Sequence, residues 1–125
     1  MTEPKIRDYL NGEITIVELT IDDRKDNKIR AYYKMVEAIE EGEFKITRNH
    51  LLKLSNDILA NSLDLSILDT FSFILIGSDY FYWEDDVISA VLVEWNNPTI
   101  NYPLTTNNLE EWKKFLSGQS RIMEN

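Results

Sequence analysis

The side chains with the clearest chemical potential stand together in residues 78–86, where four aromatic residues precede three carboxylates: Tyr80, Phe81, Tyr82 and Trp83, then Glu84, Asp85 and Asp86. Four adjacent rings cannot all face one core, because they spread around most of a helical turn and alternate between faces on a strand. At least one or two rings should therefore be partly exposed. Exposed tyrosine and tryptophan rings beside charges are typical of protein interfaces, where a ring anchors the contact and the charges select the partner.

Protein binding is therefore the chemistry that this stretch predicts. The candidate partner-binding residues are Asp79, Tyr80, Tyr82, Trp83, Glu84, Asp85 and Asp86. In the alternative interpretation, Phe81 and Trp83 pack inward while the two tyrosines cover a corner of the core.

Other kinds of site find little support in the sequence. The chain has no cysteine, and its one histidine, His50, is expected as a solvated side chain in the first turn of a helix. Asp22, Asp23 and Asp26 lack the ligand spacing and the glycine of an EF-hand loop, and no glycine-rich phosphate loop occurs. We therefore expect no enzyme activity, no cofactor and no metal site. An enzyme that uses paired Asp and Glu side chains is the third hypothesis for function.

The negative charge is concentrated in the second half of the chain. Residues 1–50 carry 11 acidic and 9 basic side chains, whereas residues 51–125 carry 11 acidic and only 4 basic ones, and the whole chain has a formal net charge of −9. No Lys, Arg or His occurs between Leu54 and Trp112. Such a surface repels phosphate backbones and attracts basic partners. We expect a basic protein partner and no binding to nucleic acid, although acidic charge also serves solubility alone.

The length of 125 residues is that of one domain with one hydrophobic core. We expect a single helical domain over residues 1–118 and a frayed tail over residues 119–125. No apolar run approaches the ~20 residues that span a bilayer, and no signal peptide is visible. These features predict a cytoplasmic protein without membrane contact.

Helix starts are the strongest structural signal in the chain. An apolar residue, a threonine and a leucine four residues later occur three times, with the threonine at Thr15, Thr47 and Thr105. This spacing is typical of a capped helix start with a hydrophobic staple. Residues 29–41 add a further helical pattern. The sequence thus predicts an all-α, single-domain bundle of about six helices; the alternative is an α+β fold with short strands near residues 14–19 and 70–76.

Residues 63–77 form the most apolar predicted helix. One broad stripe of apolar side chains runs along it: Leu63, Ile67, Leu68, Phe71, Ile74 and Leu75. Phe73 and Ile76 widen this stripe. The pattern therefore predicts that this helix is the most deeply buried one.

A turn rich in tyrosine and acidic residues follows this helix and leads into a helix with a late tryptophan: Gly77, Ser78, Asp79, Tyr82, Asp85, Asp86 and Trp95. In these residues the stretch resembles the corresponding turn of bacterial toxin immunity proteins, and especially of those that neutralise DNase colicins. By this resemblance Tyr82, Asp79 and Asp85 would contact a basic toxin. Trp83 and the seventy or so residues before the turn depart from the DNase-colicin group, so the broader class of contact-dependent and polymorphic-toxin immunity proteins is the better comparison.

The leading hypothesis is accordingly an acidic protein-binding domain, an immunity protein that neutralises a basic toxin such as a nuclease by occluding its active cleft. The second hypothesis is a non-enzymatic adaptor or a DNA-mimicking regulator without a toxin partner.

Overall fold

The computed structural model describes residues 1–21, 44–98 and 102–118. These residues form six helices and two short strands, in the order α1 (Glu3–Leu10), α2 (Ile16–Thr20), β1 (Phe44–Lys45), α3 (Arg48–Ala60), α4 (Ser66–Gly77), β2 (Phe81–Tyr82), α5 (Asp86–Asn96) and α6 (Thr106–Leu116). The predicted helical bundle is confirmed, with a minor β component. The alternative strands near residues 14–19 and 70–76 are wrong, because helices occupy both segments. The predicted helix at residues 29–41 and the predicted tail lie outside the described residues.

Threonine side chains cap four of the described helices, and the spacing predicted three of these caps, at Thr15, Thr47 and Thr105. In α2 the Thr15 hydroxyl accepts a hydrogen bond from the Glu18 amide at 3.1 Å, and the Glu18 carboxylate accepts one from the Thr15 amide at 3.3 Å. This reciprocal pair satisfies two amides that have no partner inside the helix. It favours a helix over a strand in a segment rich in β-branched residues. Thr105 caps α6 through the Asn108 amide at 3.1 Å.

The two strands are parallel, and each leads into a helix. Phe44 lies opposite Phe81 and Lys45 opposite Tyr82, and the Ile46 amide donates to the Tyr82 carbonyl at 2.8 Å. Because the strands are parallel, the starts of α3 and α5 lie at the same end of the pair. The sequence did not predict this pairing, since two-residue strands 37 residues apart leave no periodic signal.

The core lies between two helix pairs. Helix α4 packs on α5 and α3 packs on α6, while α5 also contacts α6. The rings of Trp95 and Trp112 are fully buried and meet edge to face at 6.2 Å between centroids. The Trp112 indole donates to the Glu94 carboxylate at 2.6 Å, so its buried N–H is satisfied.

Helix α4 is less completely buried than its composition predicted. Leu68, Phe71 and Leu75 are fully buried, but Phe73 is 68% exposed and Ile76 is 43% exposed. At 100° per residue, Phe73 points almost directly away from the buried face, and α4 packs mainly against α5. The prediction of a wide buried stripe is therefore wrong for these two residues.

None of the helices in the described part of the chain combines the length and the apolar composition that crossing a membrane requires.

Candidate partner-binding surface

The acidic turn, by which we mean residues 78–86, is held in shape by its own first residue. Helix α4 ends at Gly77, and Ser78 takes an extended conformation with φ −94° and ψ 142°. The Ser78 hydroxyl accepts hydrogen bonds from the amides of Tyr80 at 3.0 Å and Phe81 at 3.4 Å. This serine turn leads the chain into β2, and pairing with β1 then sets the direction of the aromatic side chains.

The four rings divide between the core and the surface. Tyr80 and Phe81 are 8% and 3% exposed, and their rings meet edge to face at 5.0 Å. Tyr82 is 38% exposed. Trp83 is half-buried, and its indole donates to the Ser89 hydroxyl at 2.7 Å. The prediction of one or two partly exposed rings is confirmed.

Tyr80 is the exception among the candidate partner-binding rings. Its ring lies against Phe44 at 6.2 Å between centroids and belongs to the core cluster. A ring in this position is not available as an anchor without opening the core. Tyr82 and the outer edge of Trp83 are the aromatic surface that the turn offers.

Asp85 has a structural task that the sequence did not reveal. Its carboxylate accepts the Val87 amide at 3.0 Å as the N-cap of α5. It also receives two hydrogen bonds from Arg48, at 2.6 Å from Nε and 3.2 Å from Nη2. The Arg48 guanidinium is the main cause that holds the pKa of Asp85 below its usual value, and the Val87 amide adds to it. Asp85 therefore links the starts of α3 and α5.

The other three acidic candidates are more available. Glu84 is 75% exposed at its side chain, and its only ion pair within the described chain is a long one of 3.6 Å to Lys45. Asp79 and Asp86 are exposed, and neither forms an ion pair with another described residue. Asp86 opens α5, where the helix dipole favours a negative charge.

A shallow cleft of about 290 Å³ lies beside these carboxylates, between the starts of α3 and α5. Its charged lining residues are Lys45, Arg48, Glu84 and Asp85. Each cation lies within 4 Å of one of the two carboxylates. The cleft is therefore balanced in charge and is not built to attract an anion. Within residues 1–21, 44–98 and 102–118, no group of His, Asp and Glu side chains is placed to hold a metal ion.

His50 is part of the framework around the turn. Its Nδ1 accepts a hydrogen bond from the Thr47 amide at 3.0 Å, and its ring lies 5.3 Å from that of Phe44 in β1. Burial lowers the pKa of this half-buried imidazole. The expected position in the first helical turn is confirmed, but the side chain is half-buried and not fully solvated. The Thr-x-x-His spacing was the missed signal, because histidine here takes the place of glutamate in a capping box.

A second polar cluster ties α1 to α3 on another part of the molecule. The Tyr9 hydroxyl donates to the Asp57 carboxylate at 2.5 Å, and Lys53 lies 3.4 Å from that carboxylate and 4.6 Å from the Tyr9 ring centroid. Burial is the main cause that raises the pKa of Tyr9 far above its usual value. Tyr9 and Asp57 are 48 residues apart, so no local motif could have paired them.

No protein family, curated protein or solved structure matches this chain. The likeness of the acidic turn to immunity proteins thus remains a prediction carried by a few residues. The geometry divides the candidate residues into two groups. Asp85 and Tyr80 are used inside the fold, whereas Asp79, Tyr82, Glu84 and Asp86 face solvent.

Proposed function

We propose that this chain is an acidic protein-binding domain, an immunity protein that neutralises a basic toxin domain such as a nuclease by covering its active cleft. The single observation that carries the proposal is the exposed set of Tyr82, Glu84, Asp86 and Asp79 on one turn. This turn lies within a span of the sequence that contains no basic side chain.

The physical argument for occlusion is one of charge and shape. A nuclease cleft binds phosphates through Lys and Arg side chains, and exposed carboxylates compete for the same groups. Asp79 and Asp86 form no ion pair within the described residues, so a cation that approaches them displaces no ion-pair partner in that part of the chain. An aromatic ring such as Tyr82 then contributes apolar area at the centre of the contact.

Part of the resemblance fits this arrangement. The resemblance assigns toxin contacts to Tyr82, Asp79 and Asp85, and the first two are exposed. Asp85 differs, because Arg48 and the start of α5 already occupy its carboxylate. We therefore assign the binding role to Tyr82, Asp79, Glu84 and Asp86, and a positioning role to Asp85.

The proposal expects a gene for a basic toxin beside the gene for this chain, and the test produces that neighbouring gene's product in a bacterial host with and without the chain. We expect growth arrest by the neighbour alone and protection when the chain is co-produced. Tyr82→Ala and the double variant Asp79→Asn with Asp86→Asn should lose protection, while Glu13→Gln, a change at an exposed acid outside the turn, should keep it. Protection that none of the turn variants weakens, or no toxicity and no complex, would contradict the proposal.

A further inference from the structure

The outward side of α4 carries an apolar patch that the core does not use. Phe73 and Ile76 are three positions apart, so their side chains are neighbours on the helix surface, and both are exposed. Asp69, four positions before Phe73, lies on the same side and is half-buried. We call Asp69, Phe73 and Ile76 the outer stripe of α4.

Acidic residues stand at both ends of the outer stripe along the chain. Asp69 stands one turn before Phe73, and the exposed Asp79 follows three residues after Ile76. With a rise of 1.5 Å per residue, the helix from Asp69 to Gly77 is about 12 Å long. Neither acid forms an ion pair with another residue that the structure describes, and the sequence has no Lys or Arg between residues 54 and 112.

This charge pattern narrows the class of molecule that fits the stripe. A phosphate backbone or an anionic lipid surface would be repelled by Asp69 and Asp79. A second copy of the chain, related by a two-fold axis, would bring the same patch and therefore the same charges face to face. A basic protein segment fits both the apolar surface and the negative charge, because its apolar side chains can cover Phe73 and Ile76 while its cations reach the two carboxylates.

We propose that the outer stripe docks a basic amphipathic segment of the protein partner, with apolar side chains on Phe73 and Ile76 and a Lys or Arg at each end. The inference rests on the proposed function, since the partner is the same basic protein. It extends the contact surface from the acidic turn along α4. Chain continuity joins the two, because Ile76 and Asp79 are three residues apart and consecutive Cα atoms are about 3.8 Å apart.

The probe is a synthetic helical peptide with leucines at helical spacing and lysines flanking them, titrated into the full chain by NMR. Its counterpart carries glutamate in place of each lysine. We expect the lysine peptide to bind and to shift the amide signals of α4, and the glutamate peptide not to bind. The double variant Phe73→Ala with Ile76→Ala should raise the Kd by about tenfold or more. Both side chains lie outside the core, so circular dichroism should show an unchanged fold.

Two matched controls separate the stripe from general stickiness. Val17→Ala removes an apolar side chain that is 50% exposed on α2, and Glu13→Gln removes an exposed charge away from α4. Both should leave the Kd unchanged, whereas Asp69→Asn with Asp79→Asn should raise the Kd at low salt. Equal weakening by Val17→Ala, or an unchanged Kd for the Phe73 and Ile76 variant, would overturn the inference.

A second experiment excludes other occupants and separates the two proposals. A photo-crosslinking residue at position 73 of the free chain should form no specific cross-link, and a cross-link to residues 22–43 of the same chain or to a second copy would overturn the inference. With the neighbouring toxin, loss of protection in Tyr82→Ala but not in the Phe73 and Ile76 variant would overturn the docking inference alone. A toxin that the unmodified chain neither binds nor neutralises would overturn the proposed function.

Discussion

The acidic turn and the outer stripe of α4 both combine carboxylates with large apolar side chains, but they use them differently. In the turn, Tyr80 and Phe81 enter the core and Asp85 caps α5. In the stripe, Phe73 and Ile76 stay exposed. A dense cluster of interface-type residues is therefore not the same as a free surface. The less conspicuous cluster leaves more of its apolar side chains in solvent.

The difference follows from what each backbone needs. Between its ends a helix pairs its own amides and carbonyls, so the outward side chains of α4 are not needed to satisfy the backbone. The turn has to connect α4 to α5, pair with β1 and start a new helix. Those contacts come from Ser78, from the aromatic rings and from Asp85.

The largest expected effect separates the two sides of β2. Phe81→Ala removes a ring that is 3% exposed and should lower the free energy of unfolding by about 3–5 kcal/mol. Tyr82→Ala, at the next position on the outer side, should lower it by less, because 38% of that residue is already exposed to solvent. Urea unfolding of both variants measures this. Similar losses in the two variants would erase the distinction between the inner and outer halves of the turn.

For affinity, the order of the two residues should be reversed, with the larger effect at Tyr82. Tyr82→Ala should cost about 2 kcal/mol or more of affinity for the basic partner if the ring anchors the contact. Raising the salt concentration should weaken the same complex, since exposed charges are screened beyond about 8 Å at physiological ionic strength. Calorimetric titration with the purified partner measures both effects. An affinity that neither salt nor this substitution changes would remove the turn from the interface.

Asp85 offers a comparison of structural and free acids within the turn. Asp85→Ala should destabilise the fold by about 1–2 kcal/mol, chiefly through the lost cap of α5; the part due to Arg48 is small because both side chains are about one-third exposed. Asp85→Asn keeps a capping side chain and should lose less. Asp86→Asn serves as the control and should change stability by under about 0.5 kcal/mol. Thermal unfolding of the three variants ranks them, and a rank with Asp86→Asn first would contradict the assignment.

The smallest expected effect is a pH dependence from His50 beside β1. Burial lowers the pKa of this histidine below its ordinary value of 6.5, so the unfolded chain binds a proton more readily than the folded one. Its contribution to stability should be present above pH 6.5 and be lost as the pH falls through the lower, folded pKa. His50→Gln should remove this slope in unfolding curves measured at descending pH. The carboxylate of Asp85, whose pKa is also lowered, acts in a separate window below its ordinary 3.8.

Much of the helical framework was predictable, while much of the candidate surface was not. The cap at Thr15 predicted α2 in a segment whose β-branched residues favour a strand, because a capping box depends on residues three positions apart. The partner of Asp85 could not be predicted, since Arg48 is 37 residues away. The apolar composition of residues 63–77 assigned Phe73 and Ile76 to the core, although 100° per residue turns Phe73 away from Leu68, Phe71 and Leu75.

The amino-acid sequence by itself determined where the helices capped by Thr15, Thr47 and Thr105 begin, the absence of basic side chains from residues 54–112, and the position of the acidic turn after α4. These properties depend on composition and on contacts within one helical turn, so short spans of sequence are enough to predict them. The tertiary structure alone decided that Tyr82 is exposed and Tyr80 buried, that Asp85 joins two helix starts, and that α4 leaves Phe73 in solvent. Burial and ion pairing depend on elements distant in the chain, and only the packed fold brings those elements together.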